Sequence, residues 1–448
     1  MRDMLHKIER IIFYLFVFAI PFEKRLIIFQ WQKPFHEWTS GFIYGTDVLI
    51  FALLILWAVR IWKKDKIKFN LKGPNLWLAL FFVVAGLSVF NSKIVGLSVY
   101  QLLKLTEFVA LYFYLKNNWE MFGFQKILTV FIASGLFQAI VGFMQFLKQT
   151  GLGLRLLGES PLTVDGYGVA VFIVNCQKYL RAYGTTPHPN VLATVLLLSV
   201  FALYAFYFHS SKTDSYFRRM LMPIYAILLL GLFATFSRTV IAFWGASVLV
   251  IVLAIYFKKS FHDFWNKNKK KLLTIITVTI VVGAAFAVAY WPLVKSRIHI
   301  SGDDEAVTQR IFYNGIAGSA AVSHPLLGIG LGQFVPNMMN KYRYLPPNVY
   351  QPAHNVYLLI ASEAGFLGLI FFLLFIFSLL FDFVRKTKFK FLRSFSFFVL
   401  VLAFLLTALF DHLFWTLQQG SLIFWASLAL LGSGYLLKEK ETVDSQDF

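Results

Sequence analysis

Runs of largely apolar residues, each near the roughly 20 needed to cross a bilayer as a helix, recur along the whole chain and leave it few folds to adopt. Twelve candidate spans can be marked: Lys7–Phe22, Phe42–Trp62, Leu76–Phe90, Gly96–Leu115, Ile127–Leu147, Val191–His209, Leu221–Phe236, Val240–Phe257, Leu272–Trp291, Asn355–Val384, Phe395–Phe410 and Gln418–Leu437. The tenth is too long for one straight span, and Gly365 is the natural place to divide a short lead-in helix from the span proper. With 58% hydrophobic and only 14% charged residues among 448, a water-soluble fold lacks the polar surface it needs. The fold class expected is an all-α integral membrane protein, with residues 1–448 forming a single transmembrane domain.

Charge placement sets the orientation. A formal net charge of +20 would suggest nucleic acid in a soluble protein, but here the cations sit in short clusters between apolar runs. Arg60, Lys63, Lys64, Lys66, Lys68 and Lys72 form one cluster, and Lys212, Arg218 and Arg219 another. Lys258, Lys259, Lys267 and Lys269–Lys271 form a third, and Arg385, Lys386, Lys388, Lys390 and Arg393 a fourth. They fall after every second span, which puts them and both termini in the cytoplasm and excludes a nucleic-acid partner. The basic start and apolar run of Met1–Phe22 lack a small-residue cleavage site, so an uncleaved first helix is expected. Cys176, the sole cysteine, excludes an intrachain disulfide and any cysteine-based metal site.

The same alternation places two long segments, 148–189 and 292–353, on the outer face. Loops of that length are usually functional or carry short helices of their own. The first is rich in glycine; the second holds the acids Asp303, Asp304 and Glu305 and a proline-rich stretch. The two halves of the chain are not copies, which weighs against carriers built from duplicated halves.

Three ionisable residues near the outer ends of spans stand out. Arg238 occupies the short turn Phe236–Thr239, either snorkelling to the interface or offering bidentate donors to a phosphate. Arg310 follows the acidic cluster, whose acids suit the first turn of a helix; taken alone it reads as a surface cation paired with Glu305 or solvent. His354 lies between Pro352, read as a helix start, and an apolar run. In a first helical turn the dipole would favour the neutral imidazole that a general base requires; the plain alternative is an interfacial histidine bonded to a loop carbonyl. Gly328-Ile329-Gly330-Leu331-Gly332 lacks a strand–helix context and reads as a tight bend after His324-Pro325 rather than a nucleotide loop. Lys104 and Glu107, one turn apart within a span, read as an intramembrane structural pair. No pattern of acids and histidines marks a metal site.

Four segments together resemble the O-antigen ligase and polymerase superfamily of membrane glycan transferases. They are Arg181–Asn190, Ser237-Arg238, the stretch from Arg310 through His324-Pro325 to Phe334, and His354–Leu358 continuing to Glu363-Ala364-Gly365 and Gly368. The resemblance implies a GT-C-like arrangement in the bacterial cytoplasmic membrane, with the long outer loop between spans nine and ten carrying short helices. It implies metal-independent, inverting glycosyl transfer from a polyprenyl diphosphate carrier, such as undecaprenyl diphosphate, to a glycan, lipid or protein acceptor, without a cofactor. His354, Arg238 and Arg310 match the family's catalytic positions; Arg181, His188, Asn190, His324, Asn355 and Tyr357 would contact substrate. En bloc transfer of the ligase type is the expectation, with repeat-unit polymerisation and, outside this class, a lipid-linked glycan flippase as the alternatives.

Overall fold

The computed structural model describes residues 2–63, 70–209, 215–298 and 305–437. Lys64, Lys66, Lys68, Lys212, Asp303 and Asp304 lie outside them, as do the side chains of Arg218, Arg219 and Glu305.

The chain is mostly helical. Helix α1 (Arg2–Ala19) leads into an antiparallel hairpin, β1 (Arg25–Gln30) and β2 (Ser40–Tyr44), which runs directly into α2 (Gly45–Trp62). Helices α3 (Pro74–Ser88), α4 (Val95–Asn118) and α5 (Phe124–Lys148) follow, then a second hairpin, β3 (Val171–Val174) and β4 (Gln177–Leu180). Next come α6 (Pro189–His209), α7 (Ser215–Ala234), α8 (Arg238–Phe257) and α9 (His262–Ala289). Three helices occupy the long segment after them: α10 (Trp291–Ile298), α11 (Glu305–Ser323) and α12 (Phe334–Lys341). The chain closes with α13 (Val356–Thr387), α14 (Leu392–Thr407), α15 (Leu413–Thr416) and α16 (Gln418–Ser433).

Among the described residues, seven helices are long and apolar enough to cross a membrane: α2, α3 with the turn after it, α5, α6, α8, α9 and α13. Met220–Ala234 of α7, and α14, are shorter apolar helices. The other three expected spans fall on α1, α4 and α16, which carry more polar residues: Lys7, Glu9 and Arg10 in α1, Lys104, Glu107 and Lys116 in α4, and Gln418 and Gln419 in α16. The all-helical expectation needs one amendment. Strand β2 takes the first residues of the expected span Phe42–Trp62, and the β3–β4 hairpin lies within the long outer segment 148–189.

The expected break at Gly365 is present, with φ 73° and ψ 178° inside α13. A break in an apolar helix frees backbone groups that hydrocarbon cannot satisfy. Here the 325–330 segment takes them: Phe366 N donates to Pro325 O (2.7 Å), while Ile329 N and Gly330 N donate to Ser362 O and Glu363 O (2.9 and 3.0 Å). Gly328, Gly330 and Gly332 all have positive φ, so the glycine-rich segment is the tight bend its sequence suggested. A Cβ at Gly365 would run into the Leu326 carbonyl.

Two ionic clusters, one buried and one half-buried, hold the helices in register. Arg60 is not a surface cation: its Nε lies 2.8 Å from Glu9 Oε2, and Asn118 and Tyr114 complete the cluster. Lys104 does pair with Glu107 (2.6 Å), but it also meets Asp47 (2.9 Å), whose Oδ1 accepts from Gln418 Nε2 (2.6 Å). The pair read in the sequence is therefore part of a three-helix network.

Candidate functional site

The site is built where α6, α8 and α13 begin and α14 ends. Tyr183 and Gly184 are pinned to Gln145 Oε1 through their amides (3.1 and 2.8 Å), and Ala182 N donates to Ala234 O (3.0 Å). That backbone lays buried Arg181 against the end of α7. Its Nε donates to Thr235 O (2.7 Å) and its Nη2 to Asn190 Oδ1 (2.8 Å). Asn190, in the first turn of α6 behind Pro189, in turn donates through Nδ2 to Asp411 Oδ2 (2.6 Å). Asp411 is buried, and its other oxygen accepts from Leu413 N at 3.1 Å, holding the turn into α15.

Three imidazoles surround this carboxylate. His188 Nδ1 accepts from Asn190 N (3.2 Å), so that nitrogen carries no proton. Burial and the Arg181 charge push the His188 ring down to about 3, which agrees with a neutral ring. His412 hydrogen bonds Thr416 through Nδ1 and meets Trp38 edge to face at 5.5 Å; burial, then His354, lowers it to about 3. His354 stacks on Tyr313 (5.6 Å, 16°) and stands edge-on to His412 at 5.0 Å. Burial lowers its pKa, Asp411 opposes that shift, and Arg310 adds to it. Burial works against the Asp411 carboxylate too, but the His412, His354 and His188 rings outweigh it and hold its pKa below the ordinary value.

The location of His354 corrects the reading of its environment. Asn355, not Pro352, caps α13, its Oδ1 accepting from Tyr357 N and Leu358 N (both 3.0 Å). His354 therefore precedes the helix instead of lying in its first turn, and burial rather than the dipole keeps it neutral. The neighbouring Pro352 backbone opposes the lowering of the His354 pKa, while the ring's buried Nδ1 makes no hydrogen bond among the described residues.

The cations gather on the same spot. Arg238 is the first residue of α8 and, with Arg297 of α10, lies close enough to Arg181 to depress its pKa. Burial is the larger cause, and together these effects bring Arg181 to about 9. Arg297 Nη2 reaches Phe236 O at 3.5 Å, and Arg310 Nε donates to Phe410 O (3.2 Å), one residue before Asp411. Thus Arg181, His188, Asn190, Arg238, Arg310 and His354 are brought together. Asn355 is adjacent but serves as a helix cap, and the Tyr357 hydroxyl is taken by Leu405 O (2.9 Å). His324 is exposed at the other end of α11, fourteen residues and about 21 Å of helix from Arg310, and does not reach this cluster. Among the described residues no group of His, Cys, Asp or Glu is arranged to hold a metal ion.

Asp411, His412 and Arg297 were not singled out in the sequence. The signal existed for the first two: they are ionisable residues in a short turn between apolar runs, the criterion that selected Arg238.

Apolar helices long enough to cross a bilayer, with arginines and neutral imidazoles converging at one end, define a membrane protein whose site suits an anionic substrate and a proton transfer. The O-antigen ligase family model matches residues 223–373, from α7 into α13, a stretch that includes Arg238, Arg310 and His354. That match covers about a third of the chain and supports the O-antigen ligase superfamily, whose members are glycosyltransferase-like ligases and polymerases. No curated protein matches the chain.

Proposed function

We propose that the protein transfers a glycan from a polyprenyl diphosphate carrier to an acceptor hydroxyl at the outer face of a bacterial cytoplasmic membrane, by a metal-independent, inverting ligase-type reaction. The observation that carries this reading is the meeting of Arg310 and His354 at the Asp411 turn, with Arg238 close to Arg181, which Asn190 links to Asp411. In the proposed reaction the acceptor oxygen attacks the anomeric carbon and the bond from that carbon to the phosphate oxygen breaks. Its electron pair leaves with the diphosphate, and the hydroxyl proton passes to His354. Guanidinium groups suit the first demand, because charge grows on the diphosphate as the bond breaks. A neutral imidazole held near a carboxylate suits the second, since the carboxylate stabilises the imidazolium that forms.

Under this reading residues 148–189 and 292–353 form the extracytoplasmic part, joined where Asn348 N donates to the Tyr167 hydroxyl (2.7 Å). Repeat-unit polymerisation is the second reading. It is favoured by Arg181, which brings the first of these segments into the cluster, where a second glycan would have to be held.

The test follows release of polyprenyl diphosphate from a labelled lipid-linked glycan by the purified protein in nanodiscs. The reading expects release that depends on an acceptor, survives chelation and is lost in Arg238→Ala, Arg310→Ala and His354→Ala. Full activity of His354→Ala would sink the mechanism. Lipid movement across the bilayer without any release would point instead to a flippase.

A further inference from the structure

A cavity among the described residues lies away from the arginine–imidazole cluster. It measures about 520 Å³, within the roughly 300–1,000 Å³ of pockets that hold small organic ligands. Arg393, in the first turn of α14, lines it, whereas Asp411 follows the last turn of that helix. The fourteen residues from Arg393 to Thr407 make about 21 Å of helix, so cavity mouth and cluster occupy opposite ends of the bundle.

Its walls come from eight helices and are aromatic and aliphatic: Phe16, Phe131, Phe201, Ile255, Phe264 and Leu430 are representative. The charge is confined to one place, where Lys390 and Arg393 line the turn between α13 and α14. Lys258 adds a third cation there, its Nζ donating to Phe389 O (3.0 Å). The N-terminus of α14 points into the same turn, and Phe391 at its cap provides no side-chain acceptor for the first amides. An apolar chamber with cations and a helix N-terminus at one mouth is complementary to an amphiphile with an anionic head.

We propose that this cavity binds one anionic phospholipid from the leaflet opposite the arginine–imidazole cluster. Its phosphate lies against Lys390, Arg393 and the first turn of α14, and an acyl chain fills the chamber. The site is distinct from the one proposed for the glycan carrier, so either assignment can fail without the other.

The test uses full-length protein stripped of lipid in detergent, titrated with photoactivatable phosphatidylglycerol or phosphatidylcholine whose reactive group sits on the acyl chain. Stoichiometry is read by native mass spectrometry and the labelled peptides by sequencing. The expected result is one saturable phosphatidylglycerol, labelling α9, α14 or α16 residues of the chamber. Lys390→Gln/Arg393→Gln should weaken it about 25-fold, roughly fivefold per cation, and leave phosphatidylcholine binding as it was. Lys390 is exposed and Arg393 half-buried, so neither change opens the core, and an unchanged melting temperature checks this. Equal binding of the two headgroups, labelling confined to the outer faces of the helices, or preference for a polyprenyl phosphate would each overturn the proposal.

Discussion

Replacing Asp411 by asparagine isolates what the carboxylate contributes. Both oxygens are engaged, Oδ2 with Asn190 Nδ2 at 2.6 Å and Oδ1 with Leu413 N at 3.1 Å. An amide of the same shape turns an NH2 toward one of these donors, which costs about 1–3 kcal/mol of stability. The larger effect is on His354. Taking the ring separation of 5.0 Å between His354 and His412 as the scale of the cluster, a unit charge at an effective dielectric near 20 stabilises the imidazolium by about 3 kcal/mol. That corresponds to about a hundredfold in rate if His354 takes up a proton in the transition state. The sign of the pH effect is fixed as well. His354 has a lowered pKa, so activity is full near neutrality and falls as pH drops through that value. Asp411 raises the His354 pKa, so Asp411→Asn moves the acid limb to lower pH while lowering the plateau. Acceptor-dependent diphosphate release, measured from about pH 5 to pH 8, reads both quantities. The His354→Ala/Asp411→Asn double variant should be no slower than His354→Ala alone. A variant that loses thermal stability but keeps both limb and plateau would refute the role given to the carboxylate.

Other consequences follow from the same geometry. Arg310→Ala and Arg238→Ala should each lower kcat about 10²–10³-fold, with lysine restoring only part because it lacks the bidentate fork; steady-state kinetics in nanodiscs checks this. Arg60→Ala leaves the buried Glu9 carboxylate without its 2.8 Å partner and should cost about 3–5 kcal/mol, seen as a lower melting temperature, whereas Glu9→Gln/Arg60→Met should recover most of it. Gly365→Ala meets both a positive φ and the Leu326 carbonyl, so it should destabilise the protein by at least about 1–2 kcal/mol and expose the 325–330 bend to proteolysis.

Much of the fold is legible because apolar runs and glycine are local signals. Each candidate span falls on a helix, and the break in α13 follows from its length and a single Gly365. The β1–β2 hairpin is not legible in the same way. Its exposed strand Arg25–Gln30 is apolar, without the alternation that marks a half-buried strand, and Phe42 continues into an apolar helix, so strand and span share one hydrophobic run. The Lys104–Glu107 pair was visible as neighbours one turn apart, but Asp47 and Gln418 join it from helices distant in sequence, which no local pattern announces.

The cluster makes the same point more sharply. Arg238 and His354 could be selected one at a time, since each is a charge or imidazole beside an apolar run. Neither selection explains why the imidazole is neutral. The dipole argument required His354 inside a helix, yet the chain reaches the helical state only after Asn355, and the ring stacks on Tyr313 from α11. Its counter-charge, Asp411, meets Asn190 across 221 residues, and Asn190 carries Arg181 on its other face. Asn190 is thus the hinge of the arrangement: one amide accepts from a guanidinium and donates to a carboxylate, so cation and anion are spaced apart instead of neutralising each other. An aspartate at 190 would set a second negative charge against Asp411, and a leucine would leave both buried ions short of a partner. Asparagine keeps Arg181 cationic and Asp411 anionic beside the imidazoles, the two electrostatic conditions the proposed transfer requires.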